Sequence, residues 1–323
     1  MGGSTDQGEA ERAKKELGEK YKVKVMSEVE HMLGIKVELV EDGIRISQKA
    51  YTKRMLEKFS LEGCKPRSTP LPVGINLSTP DGPESEEEKE EMKKVLYREA
   101  LGSLMWLQVG THPDLSYAVN LLSRFSSNPG RAHWEAMKHA MAYVKGTLDY
   151  RITYLQGASL QPIGFVDSDF ANDRDTRRST DGHVFFVGGG PVLWSTKHQE
   201  TVATSTTEAE YMAVSCVVQQ AMWLLSFFDQ ASLPQSQPVT LFIDNNGAID
   251  MTKTYRSHKR MKHIDVCHHF VKEKGEMGEF LPVYIPSKDN IVDLLIKPLP
   301  RDATRSFTLD LGLWDYGEEN MGV

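Results

Sequence analysis

Two short apolar runs that each close on an aspartate constrain this chain most. Ile163-Gly164-Phe165-Val166 leads into Asp167, and Thr240-Leu241-Phe242-Ile243 leads into Asp244. Runs of this length, bounded by turn residues, read as strands buried in a sheet. In open α/β sheets ligands gather at such strand ends. A single Asp there is more often a turn or cap residue; two of them shift the balance toward a site. Glu210 adds a third carboxylate, within a helix that Ser205 or Thr206 can cap. Glu208 and Glu210 stand about 200° apart on that helix, so one of them faces the sheet. Glu210 shares its face with Ala213, Val214 and Val217, whereas Glu208 suits the helix start and its dipole. Asp293 lies in the apolar run Ile291–Ile296. Buried there it demands a partner or a metal; a solvated helix face is the equal alternative. Only oxygen donors are on offer, which points to a hard cation, Mg²⁺ or Mn²⁺.

With 323 residues the chain has room for two domains. A formal net charge of -7 argues against nucleic-acid binding by overall basicity, but leaves room for a local basic patch. The three cysteines, Cys64, Cys216 and Cys267, build neither a disulfide framework nor a zinc site. They fit a reducing, intracellular setting, the cytoplasm first and the nucleus as the alternative. No run approaches the ~20 apolar residues that span a bilayer, so no membrane partner is expected.

Along the chain, residues 1–22 read as a flexible, partly helical lead-in. Residues 32–40 and 44–48 alternate as a hairpin around Asp42-Gly43, and Ala50–Phe59 is helical. Residues 65–72 are too proline-rich for either element, and the acidic stretch at about 73–94 reads as an exposed linker. Helices are expected over 97–109, 112–126 and 132–147. The texture then shifts: strands at 162–167, 182–188 and 192–196, a long helix at 206–231, a strand at 238–243, and helices at 245–253 and 260–274. A strand at 279–285 and a helix at 289–297 follow. The order βββαβα(α)βα makes an α/β domain over 160–300. It follows a smaller α+β region at 23–156 and precedes a tail at 301–323. Gly188-Gly189-Gly190 reads as a hairpin turn.

The motifs resemble the ribonuclease H domain of copia-type LTR retrotransposons. Those that carry the resemblance are Phe165–Ala171, Arg177–Gly182, Trp194–Lys197, Ser205–Tyr211, Asp244–Ile249, Lys262–Asp265, and Asp293 ahead of Lys297-Pro298-Leu299. Leu33-Gly34-Ile35, Ser47–Tyr51, Pro70-Leu71-Pro72, Tyr97–Leu104 and Arg124-Phe125 are similar to the C-terminal end of that family's reverse transcriptase, its thumb and connection parts. The resemblance implies a ribonuclease H-like mixed five-stranded sheet with flanking helices. It also implies an endonuclease that cuts the RNA strand of RNA–DNA hybrids with two Mg²⁺ ions, Mn²⁺ able to substitute. Asp167 would bridge the ions, Glu210 and Asp244 would complete one, and Asp293 the other. The family's Tyr-x-Asp-Asp polymerase motif has no counterpart here, so no DNA polymerase activity is expected.

A nucleic-acid track is expected from Arg256, Lys259, Arg260, Lys262 and His263. Arg177, Arg178 and Lys197 add phosphate contacts, with Ser205, Thr206 and Asn245 beside the carboxylates. Either basic group also reads as a solvated loop. The competing function is an inactive or domesticated remnant that binds nucleic acid or protein. A complementary polymerase fragment or self-association would then cover the apolar surface of residues 23–155.

Overall fold

Two five-stranded sheets organise the protein, seen here in a computed structural model that describes residues 30–233, 238–253 and 265–315, with residues 15 and 235. The first sheet is antiparallel, in the order β1 (His31–Met32), β2 (Ile35–Val40), β3 (Gly43–Ser47), β4 (Tyr150–Leu155) and β10 (Leu313–Asp315). Helices α1 (Lys49–Lys58), α2 (Glu86–Lys93), α3 (Tyr97–Gly110), α4 (Ser116–Ser123) and α5 (Arg131–Gly146) lie between β3 and β4. Their core is apolar and closed, with Leu104, Leu107, Leu122, Met137 and Met141 fully buried. Burying each such side chain contributes about 1.5–3 kcal/mol.

The second sheet is mixed, in the order β7 (Gly190–His198), β6 (Thr180–Val187), β5 (Ile163–Asp169), β8 (Val239–Ile243) and β9 (Phe280–Tyr284). The first three strands form an antiparallel meander, while β8 runs parallel to both β5 and β9. The strand and helix order is that expected of a ribonuclease H-like domain. The glycines at 188 and 189 make the β6–β7 turn, both at positive φ (63° and 82°), where a side chain would be strained.

Helix α6 (Thr206–Gln230) covers one face of this sheet and α9 (Asp293–Ile296) the other. The strand pleat sets this division: Phe185 and Val187 pack with α6, whereas Val184 and Phe186 pack with α9. By length and composition α6 could cross a membrane. Its Ala209, Ala213, Val217, Ala221, Leu224 and Phe228 instead form a buried stripe against the sheet. Helices α7 (Asn246–Lys253) and α8 (Asp265–Glu276) sit beside it.

Two expectations need correction. The acidic stretch is ordered: it holds a 3-10 turn at Thr79–Asp81 and then α2, whose N-cap Ser85 exchanges hydrogen bonds with Glu88. Residues 301–315 are no tail. Helix α10 (Arg301–Asp310) follows Pro300, and β10 pairs with β4, placing Leu311 and Leu313 in a core shared with Ile152, Val184 and Phe186. That core joins the two units.

Candidate metal centre

Strand register brings the first two carboxylates together. Val166 lies beside Ile243 in the last pair of the parallel β5–β8 ladder, so Asp167, still within β5, and Asp244, just past β8, follow side by side at the same edge of the sheet. Glu210 reaches them from the second turn of α6. Ser205 caps that helix, its Oγ accepting from Glu208 N at 3.2 Å, and the Glu208 carboxylate turns back to accept from Thr204 N at 2.8 Å. Glu208 is thus engaged at the helix start and Glu210 is left to face the sheet. One carboxylate oxygen from each of Asp167, Glu210 and Asp244 lies within 4.8 Å of the others.

Asp293 completes the group from the opposite face. It opens α9 and is hydrogen-bonded to Asp167. Two features let α9 come so close. Gly182 sits opposite Asp167 on β6, and a Cβ there would lie 2.5 Å from Ile296 and 2.8 Å from Val292. Asn290, fully buried, donates to the carbonyl of Val166 at 2.9 Å and pins the entry to the helix.

The electrostatics are those of buried carboxylates crowded together. Burial pushes Asp167 far above the usual carboxylate range, and Glu210, Asp293 and Asp244 push it further. Burial and Asp244 likewise raise Glu210. Glu210 Oε2 is buried without a hydrogen-bond partner. Such an arrangement of oxygen donors suits a hard divalent ion. Four residues on from Asp293, Lys297 places Nζ 2.5 Å from Asp293 Oδ1. Burial opposes the charge of Lys297, but that bond and the charges of Asp293, Asp167 and Asp169 raise its pKa.

The structure therefore gathers Asp167, Glu210, Asp244 and Asp293. Ser205 and Thr206 start α6, and Asn245 caps α7 by accepting from Ala248 N at 3.0 Å. Thr207 touches Gly247, so the two helix starts form one rim beside the carboxylates. Arg177 and Arg178 are exposed in the β5–β6 loop, and Lys197 is exposed and paired with Glu200 at 3.3 Å. Among the described residues the basic partner of the cluster is Lys297. Arg256, Lys259, Arg260, Lys262 and His263 lie outside the described residues. Asp181 and Lys297 enter the sequence reading only as members of motifs, and Gln199 and Asn290 carry no role in it. For Lys297 the signal is its spacing of four from Asp293.

Comparison with known proteins places these features in context. The family described as reverse transcriptase (RNA-dependent DNA polymerase) matches residues 2–73. The retrovirus-related Pol polyprotein from transposon TNT 1-94 of Nicotiana tabacum is 38% identical over 301 residues, which is 92% of this chain and 22% of that protein. The Pol polyprotein from transposon RE2 of Arabidopsis thaliana is 33% identical over 297 residues, 92% of this chain and 20% of its own length. An uncharacterized mitochondrial protein of Arabidopsis thaliana is 33% identical over 210 residues, 64% of this chain and 83% of that protein. Among solved structures, LC11-RNase H1, isolated from compost, aligns with 46% of this chain and 97% of its own at 18% identity and a TM-score of 0.32.

Proposed function

The chain belongs to the retrovirus-related Pol polyproteins of copia-type transposons, spanning about a fifth of their length, and on that premise we propose that residues 160–300 hydrolyse the RNA strand of RNA–DNA hybrids. One observation carries the reading: the carboxylates of Asp167 on β5, Glu210 on α6 and Asp244 just past β8 converge within 4.8 Å, two of them buried and both raised by burial and by their neighbours' charge. Two Mg²⁺ ions, or Mn²⁺ in their place, would supply an activated water and charge at the leaving oxygen. Asp167, which meets Asp293 and lies with Glu210 and Asp244, would be the ligand the two positions share. Glu210 and Asp244 would help to hold one ion, and Asp293 the other. Lys297 holds Asp293, and its ammonium has further N–H donors with which it would meet a phosphate oxygen. Ser205, Thr206 and Asn245 offer donors at the rim, while Arg177, Arg178 and Lys197 supply positive charge farther out.

The test is cleavage of a labelled RNA–DNA hybrid with Mg²⁺, against an EDTA control. Asp167→Ala is expected to abolish cleavage while circular dichroism stays unchanged; persistent cleavage by that variant would sink the assignment. The second reading, a binding remnant, draws on a different observation. Leu33, Leu39, Met105 and Val109 are exposed at 44–75% on the first unit, where Gly34 lies against Trp106. A polymerase fragment or a second copy would cover such a face. Binding of a hybrid without cleavage in Mg²⁺ would favour this reading.

A further inference from the structure

Beneath the first turns of α6 lies a polar network that the chemistry above does not use. Ser168 follows Asp167 on β5, and Asp181 is its register partner on β6. Gln199, just past β7, reaches under the helix. Ser168 Oγ donates to Asp181 Oδ1 at 2.8 Å. Gln199 Nε2 donates to the same oxygen at 2.6 Å and to the carbonyl of Ala209 at 2.9 Å. Gln199 and Ser168 are buried, at 4% and 8% exposure.

The chemistry fixes the orientation of this amide. With two acceptors facing Nε2, a flipped Gln199 would set oxygen against oxygen at both. The groups it joins are the chain neighbours of two cluster carboxylates. Ala209 precedes Glu210, and Ser168 follows Asp167 and donates its own N–H to Asp167 Oδ1 at 2.8 Å. Apolar contacts elsewhere along α6 hold the helix on the sheet but are non-directional. Ligand geometry demands placement to about half an ångström, which directional bonds supply.

We propose that Gln199 and Asp181 form a clamp that positions Glu210 and Asp167 for divalent-cation binding. Both are positioning residues that touch neither cation nor substrate. The inference rests on the metal-site reading above. A merely structural role would lower the melting temperature and leave cation affinity alone.

The full chain, stripped with chelator and titrated with Mn²⁺ in a thermal-unfolding assay, separates these roles without relying on cleavage. Wild type is expected to melt higher as Mn²⁺ rises; a flat response overturns the metal-site reading itself. Given that response, Gln199→Met is expected to need at least about tenfold more Mn²⁺ for half of the shift, the loss of roughly 1.4 kcal/mol of binding. Asp181→Asn keeps an acceptor for both partners and is expected within about threefold of wild type, under 1 kcal/mol by the same conversion. An unchanged midpoint for Gln199→Met, or an Asp181→Asn midpoint displaced as far as that of Gln199→Met, overturns the clamp while leaving the metal site standing. Should Gln199→Met not fold, Asp181→Ala removes the acceptor alone and carries the same tenfold expectation.

Discussion

Carboxylates gathered this closely repel one another until protons or cations sit among them, and burial acts in the same direction. Asp181 shows burial alone: it pushes this carboxyl up to about 7, with Ser168, Gln199 and Lys197 pulling the other way. Its unfolded value is near 3.8. The folded protein therefore holds the more protons between these values, and stability from this source is full below about pH 4 and lost as pH rises to about 7. Asp167 and Glu210 are displaced in the same direction, so they add to the same slope and carry it higher. Urea unfolding in EDTA is thus expected to show falling stability from about pH 4 upward. Saturating Mg²⁺ should flatten the curve, because the cation replaces the protons. Asp167→Asn removes one repelling charge. It is expected to raise the melting temperature in EDTA by about 2–4 °C per kcal/mol relieved and to abolish the Mg²⁺ increment. A lower melting temperature in EDTA would refute the repulsion argument.

At the level of elements, α9 depends on a missing side chain. Gly182→Val would drive its methyl groups into Ile296 and Val292, costing about 1–3 kcal/mol by overpacking. Because α9 carries Asp293, the same variant should also bind Mn²⁺ more weakly, measurable by calorimetry. The site was partly legible in sequence for reasons that also explain the gaps. Asp167 and Asp244 announce themselves because a charge ends an apolar strand, and Glu210 follows from helical geometry. Asp293 stayed open between two faces until its contact with Asp167 and the Asn290 hydrogen bond to Val166 settled it. Asp181 and Gln199 could not be read, since their meeting depends on the register of three strands. Helix α10 escaped notice because it buries Thr304 and Thr308 rather than an apolar stripe, with hydroxyls donating to the carbonyls of Leu299 and Thr304. Helix α2 buries nothing, so an acidic helix and an acidic loop look alike in composition.

Across the whole molecule, the two units act as one body. Arg124, just past α4, pairs with Asp173 and Asp175 in the β5–β6 loop, and Asp175 accepts from Thr79 N and Oγ1 at 3.0 and 2.8 Å. Removing residues 301–323 should be far from neutral. It strips Leu311 and Leu313, both fully buried, from the joining core. At about 1.5–3 kcal/mol each, the loss is expected to leave the protein insoluble or with a melting temperature many degrees lower; an unchanged melt would show that the segment is dispensable. The pairing of Ile152 with Leu313 also sets a clock. During translation at about 5–20 residues per second, β4 emerges roughly 8–30 s before its outer neighbour. Through that interval its amide edge is open, and the ribosome's pace decides how long a neighbouring nascent chain can compete for it.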